Sequence, residues 1–253
     1  MSSILSRITI PGQNGYDISA LTNVQSEHRE ILLCLHGFTG NKHSLVITAL
    51  RKRLDQDGIG VVTFDWPAHG ESPAQDSDLT VENCLRDLDS VLAFIRSQWS
   101  MPISCFATSY GGYLAVLYRN EHPDAFDKLL LRSPALRMPQ TFIGFFSEGS
   151  RKRFMAGEPF PIGTDRKMRL TVSFYDSLRA HDAFSSPVPS PERVMILQGD
   201  RDDVVSPKDT ADFAEKNHIP VAWFRGADHI YRNPADQQRI VDETRAFLLR
   251  GKW

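Results

Sequence analysis

The chain has 253 residues, 41% of them hydrophobic and 24% charged, which are the proportions of a soluble globular protein able to bury a substantial core. The length fits one large α/β domain or two small ones. A formal net charge of −2 leaves no basic footprint, so neither nucleic acid nor an anionic membrane surface is expected as a partner.

In chain order, residues 5–24 read as two strands around a turn carrying Gly12 and Gly15. Ile31-Leu32-Leu33-Cys34-Leu35 is a continuous apolar run ending at His36-Gly37, the pattern of a strand covered on both faces. A helix is predicted over 44–56, closed by Asp57-Gly58, and a strand over 60–64 that ends at Asp65. Residues 80–98 carry Val81, Cys84, Leu85, Leu88, Val91, Leu92 and Ile95, apolar at intervals of three and four, which predicts a helix. A strand over 103–107 leads into Ser109, and a helix over 112–120 follows it. Further strands are predicted over 128–131, 193–197 and 221–224, and helices over 206–217 and 234–250. Strands alternating with helices imply a mostly parallel sheet with helices on both faces.

The stretch 136–190 breaks this alternation. It is rich in aromatics (Phe142, Phe146, Phe154, Phe174 and Tyr175 among them), and Gly and Pro punctuate it. Long inserted segments of this kind are often lids. It is expected to form a partly helical cap over the top of the sheet, with residues 1–135 and 191–253 as the core. Its aromatics should mostly form the cap's own core, with a minority lining an acyl or aryl pocket. Arg151-Lys152-Arg153 and Arg166-Lys167-x-Arg169 read as solvated cap faces. Three irregularly spaced cysteines, Cys34, Cys84 and Cys105, argue against a disulfide framework and fit a reducing compartment. The first seven residues lack the apolar core of a secretion signal, and no apolar run reaches bilayer length, so the cytoplasm is the expected location.

The chemistry concentrates at Ala107-Thr108-Ser109-Tyr110-Gly111-Gly112, a near match to a nucleophile elbow. In that device a serine sits on a sharp strand-to-helix turn with small neighbours. A serine hydroxyl needs a base, and His229, on the loop after the last predicted strand, is the candidate. The imidazole in turn needs a carboxylate, and Asp200, Asp202 and Asp203 all lie just beyond a strand end. An oxyanion needs fixed donors: the Tyr110 amide at the helix start, and a second from the His36-Gly37-Phe38-Thr39-Gly40 loop, with Phe38 the candidate. Gly58-Ile59-Gly60 precedes a strand, Gly40-Asn41-Lys42 lacks phosphate-loop spacing, and no histidine pair has metal-ligand spacing. No cofactor and no metal are therefore expected.

Six motifs stand in register over nearly the whole chain: His36-Gly-Phe-Thr-Gly40, Asp65-x-x-x-His69-Gly70-x-Ser72, Ser109-x-Gly-Gly112, Ser133-Pro134-Ala135, Gly199-Asp-x-Asp202-x-Val-Val205 and Gly226-x-x-His229. Together they resemble the α/β-hydrolase family, and within it small bacterial feruloyl (cinnamoyl) esterases and monoacylglycerol-lipase-like esterases. The resemblance implies an α/β-hydrolase fold, selects Asp202 as the acid, and supports Phe38 and Tyr110 as oxyanion donors. It implies structural hydrogen bonds for His36 and His69. The chain departs from the pattern at Ala107 and Thr108, where Gly and His are usual, and at Gln198, where His is common. The expected activity is hydrolysis of small carboxylic esters through acyl-Ser109, with a small-molecule ester as substrate and neither nucleic acid nor membrane as a partner. A thioesterase, peptidase, lipase or carbon–carbon bond hydrolase on the same triad, or a non-catalytic ligand-binding member, are the alternatives. The resemblance is weakest in the cap, which is expected to set substrate choice.

Overall fold

The computed structural model describes residues 4–164 and 166–250. Its strands are β1 (Ser6–Pro11), β2 (Asp17–Thr22), β3 (Glu30–Leu35), β4 (Ile59–Phe64), β5 (Ile103–Thr108), β6 (Leu129–Arg132), β7 (Phe160–Ile162), β8 (Met168–Leu170), β9 (Val194–Gly199) and β10 (Val221–Phe224). Its α-helices are α1 (Leu45–Leu54), α2 (Val81–Gln98), α3 (Tyr110–Glu121), α4 (Met138–Gly144), α5 (Glu148–Met155), α6 (Val172–Ala180), α7 (Pro207–Asn217) and α8 (Pro234–Leu249). Eight strands form one sheet in the order β1-β2-β4-β3-β5-β6-β9-β10. The β1–β2 hairpin is antiparallel and β2 meets β4 antiparallel, while every pairing from β4 to β10 is parallel. This is the α/β-hydrolase fold, the fold class expected from the motifs.

The apolar strands are explained by their two covered faces. Side chains alternate across a strand. Ile31, Leu33 and Leu35 of β3 enter one core with residues of α2 and α3 such as Leu88 and Val116. Leu32 and Cys34 enter a second core with α1 and α8, through Leu50, Leu54, Ile240 and Phe247. The same division runs through β5 (Cys105 against Phe106) and β6 (Leu131 against Leu130). Burying each such leucine or isoleucine contributes about 1.5–3 kcal/mol, so a polar residue in these runs is costly and asks for a reason.

Helix starts follow local chemistry. The Thr80 hydroxyl accepts the Asn83 amide at 3.1 Å and caps α2. Pro207 and Pro234 open α7 and α8 behind Ser206 and Asn233, whose side chains accept Asp209 N at 3.3 Å and Ala235 N at 3.0 Å. One prediction needs adjustment. The helix after Ser109 begins at Tyr110, two residues earlier than its periodicity suggests. Gly111 and Gly112 depress helix propensity, but close packing requires them: a Cβ on Gly111 would lie 2.6 Å from the His36 carbonyl oxygen.

Between β6 and β9 the chain forms α4, α5, the β7–β8 hairpin and α6. Phe142 is the hub of this segment, with Phe146, Phe174 and Tyr175 at ring distances of 5.2, 5.4 and 5.8 Å. Arg166 was expected on a solvated face. Instead it donates to the Ser72 carbonyl and, at 2.8 Å, to that of Ala74, and Asp76 accepts the Arg169 amide at 2.9 Å. The hairpin is thereby tied to the loop that follows β4. Among the described residues no helix is long and apolar enough to cross a membrane.

Candidate active site

Ser109 follows the last residue of β5 and precedes the first of α3, with φ +52° and ψ −113°. Non-glycine residues rarely hold that conformation, and it costs on the order of 1–3 kcal/mol. Ser109 N donates to the Arg132 carbonyl at 2.9 Å, and Ser109 O accepts both Tyr113 N and Ala135 N at 3.0 Å. These bonds hold the turn in its strained shape. The hydroxyl is thereby directed to His229, whose Nε2 lies 3.1 Å from Ser109 Oγ.

His229 Nδ1 lies 2.9 Å from Asp202 Oδ2 and 3.1 Å from Oδ1. A carboxylate only accepts, so Nδ1 carries the ring proton and Nε2 is free to accept the serine proton. Asp202 is itself fixed on several sides. Oδ1 accepts the amides of Val204 at 3.0 Å and Val205 at 2.8 Å, and Oδ2 accepts Gln198 Nε2 at 2.9 Å. Gln198 Oε1 in turn accepts the Thr210 hydroxyl at 2.9 Å. Burial raises the Asp202 carboxyl, but the His229 ring and the two valine amides outweigh it and hold the group below the usual carboxylate range. Asp200 instead accepts the Gly226 amide at 2.6 Å, and Asp203 is exposed. Of the three aspartates open to sequence, only Asp202 reaches the histidine.

The loop after β3 lies against the serine. A Cβ on Gly37 would stand 3.2 Å from Ser109 Cβ. Neither the Phe38 nor the Tyr110 amide has a backbone carbonyl partner among the described residues. A buried polar lattice supports this loop. His36 Nδ1 donates to Gly37 O at 2.8 Å, its Nε2 accepts Trp66 N at 3.2 Å, and Trp66 Nε1 donates to His36 O at 3.0 Å. Lys42 pairs with Asp65 and, at 2.8 Å, with Glu71, while Asp65 also accepts the Lys42 and Glu71 amides, each at 2.8 Å. Gly70 turns at φ +46° beside that carboxylate, which a Cβ would meet at 2.5 Å. His69 Nδ1 donates to Pro67 O at 2.9 Å, and burial with the neighbouring His36 lowers its pKa to about 3, so the ring is neutral.

A cavity of about 560 Å³ opens on Ser109 and His229. Its walls come from the loop after β3 (Phe38), from α1 (Leu45, Ala49), from the ends of β5 and β6 (Thr108, Arg132), and from the loop into α8 (Ile230, Arg232). None of its described lining residues comes from 136–190, so the expectation that a minority of the cap aromatics line this pocket is corrected, while the packing of most of them on one another is as expected. The physical reason is that those rings are spent on one another and on the back of the site. Phe174 stacks on Phe38 at 5.6 Å and 4°, and its edge meets Tyr110 at 6.2 Å.

The structure brings Ser109, His229 and Asp202 into one hydrogen-bonded row and places Phe38 and Tyr110 beside Ser109, whereas Arg132 and the Lys42–Asp65 pair were not singled out in the sequence. Arg132 does leave a trace, because a charge closing an apolar strand that is buried on both faces is anomalous. Among the described residues no group of three or more His, Cys, Asp or Glu side chains could hold a metal ion.

This geometry defines a serine-hydrolase class of site on an α/β sheet. A family model described as serine aminopeptidase, S33, matches residues 26–159, and the prolyl oligopeptidase family model matches residues 100–251. The chain belongs to the α/β-hydrolase family of serine hydrolases. Among solved structures it is similar to Est1E from Butyrivibrio proteoclasticus with ferulic acid bound, at 18% identity and TM-score 0.78 over 96% of this chain and 98% of that one. It is also similar to α/β hydrolase domain-containing protein 10 from mouse, at 17% identity and TM-score 0.78 over 96% and 98%. An esterase from Pyrococcus furiosus aligns at 16% identity and TM-score 0.72 over 98% and 91%. No curated protein matches the chain.

Proposed function

We propose that this protein hydrolyses small carboxylic esters through a covalent acyl-Ser109 intermediate. The observation that carries the reading is the relay from Ser109 Oγ to His229 Nε2 (3.1 Å) and from His229 Nδ1 to Asp202 Oδ2 (2.9 Å). His229 takes the serine proton as Oγ attacks the ester carbonyl, and then gives it to the leaving alcohol. Water repeats the sequence on the acyl-enzyme, releasing the acid and restoring Ser109. Asp202 holds the imidazole in the required tautomer and stabilises its cation. The amides of Phe38 and Tyr110 serve as oxyanion donors, each contributing roughly 3 kcal/mol to transition-state stabilisation. The step needs no cofactor. Residues 136–190 act as a cap that braces the oxyanion loop. Three buried free thiols fit a reducing cytoplasm.

A peptidase is the second reading, favoured by the descriptions of both matching family models. Fluorophosphonate labelling followed by a substrate panel separates the possibilities. Ser109 should be labelled, and p-nitrophenyl esters of short acids should turn over far faster than aminoacyl p-nitroanilides. Faster anilide cleavage would move the assignment to the peptidase, and a folded protein that neither labels nor turns over would make it a binding member of the fold.

A further inference from the structure

The wall of the cavity holds a charge that the proposed reaction does not use. Arg132 ends β6, in register with Thr108 at the end of β5. By strand alternation both follow the α1 and α8 face of Phe106 and Leu130, and both line the cavity that opens on Ser109. Arg132 is only 8% exposed. Among the described residues it has no carboxylate within ion-pair distance. It stacks on Tyr231 at 4.5 Å and donates once, through Nη2 to the His229 carbonyl at a long 3.4 Å. Its Nε is buried without a hydrogen-bond partner, and so is the Thr108 hydroxyl beside it. The carboxylates nearest in charge are committed elsewhere: Asp202 to His229 and Gln198, and Asp228 to Arg232.

An unpaired guanidinium nine-tenths buried is expensive, and a neighbouring unpartnered hydroxyl adds to the cost. Both sit in one cavity, and no described residue lining it is acidic. We propose that the cavity takes esters carrying a carboxylate, with Arg132 binding that group and Thr108 donating to it. This rests on the hydrolase reading for the reaction, but not for the binding. An arginine fork matches a carboxylate in two parallel bonds. A site built around such a donor discriminates against the neutral analogue, which leaves the buried donor unpaired.

The test uses matched chromogenic pairs. One pair places the anion on the acyl side (4-nitrophenyl hemiglutarate against 4-nitrophenyl hexanoate). The other places it on the alcohol side (3-carboxy-4-nitrophenyl butyrate against 4-nitrophenyl butyrate), corrected for alkaline reactivity. In at least one pair the wild-type kcat/KM should favour the anionic member by tenfold or more. Arg132→Gln should cut that ratio at least tenfold, and Arg132→Lys should recover part of it. A ratio near one in both pairs, or an Arg132→Gln variant that slows both members by the same factor, would overturn the proposal and leave Arg132 as a support for the His229 carbonyl. Titration calorimetry with glutaric monoanilide and hexanoic anilide gives a readout independent of turnover. The anionic anilide should bind tenfold or more tightly, and Arg132→Gln should abolish that preference. Binding without ester turnover would sink the esterase reading alone, whereas turnover of neutral esters without anion-selective binding would sink this proposal alone.

Discussion

Ser109 concentrates the cost and the use of this fold in one residue. Its positive φ is held by bonds to Arg132 at the end of β6, Tyr113 in α3 and Ala135 in the loop after β6. Removing the hydroxyl relieves none of those constraints, so Ser109→Ala should fold normally, with an unchanged circular dichroism spectrum and melting temperature. Ester turnover should fall by on the order of a million-fold. Asp202→Asn should lower kcat by about 10⁴, because the amide stabilises the wrong histidine tautomer. Asp203→Asn, exposed and out of reach, should leave turnover within twofold of wild type. Steady-state kinetics on p-nitrophenyl butyrate check all three, and a large loss from Asp203→Asn would reassign the acid. The convergence of Ser109, His229 and Asp202 was legible in sequence because each follows a strand end in a recognisable motif. Arg132 was not, since its significance lies in missing partners, and only coordinates show that a buried guanidinium lacks a carboxylate.

The elements were legible wherever one period dominated. The α2 helix announced itself through seven apolar positions, while the start of α3 was obscured by two glycines whose value is tertiary. The small strands β7 and β8 were missed altogether, because three-residue strands carry no detectable alternation. One helix also carries a titrating group. Asp87, on the buried side of α2, accepts Asn14 Nδ2 at 2.8 Å and the Tyr16 hydroxyl at 3.1 Å from the β1–β2 turn. Burial, only partly offset by those two bonds, raises its pKa to about 7. The folded state then keeps a proton that the unfolded chain loses near pH 4. The sign follows: this contribution to stability is greatest below about pH 4 and declines as pH rises toward 7, by at most about 1.4 kcal/mol per pH unit. Asp87→Asn keeps the shape and removes the charge. Its melting temperature should gain on wild type as pH is raised from 5 to 8. A gap that stays constant across that range would show that Asp87 does not titrate there.

At the scale of the whole molecule, the sheet and the segment between β6 and β9 share one core. Phe142, Phe154 and Phe174 are contiguous with Leu33, Leu88 and Val116 in a single buried cluster. Calorimetry should therefore record one unfolding transition, with calorimetric and van't Hoff enthalpies in agreement. A separate early transition would mean that the segment melts on its own. Sequence pattern anticipated that most of the rings in this segment pack on one another, but not that none of the described ones lines the cavity at Ser109, since aromatic content alone does not say which rings meet a ligand.

The parallel stack of Phe174 on Phe38 has an outcome for how the enzyme could be altered. The ring of Phe38 and its amide belong to the same residue, so whatever grips the ring also aims the nitrogen. Truncating Phe174 to alanine should leave Ser109, His229 and Asp202 where they stand, and yet slow ester turnover. The loop would then lose the one ring that lies flat on Phe38 and keep only the edge-on contacts of His69, Tyr110 and Phe142.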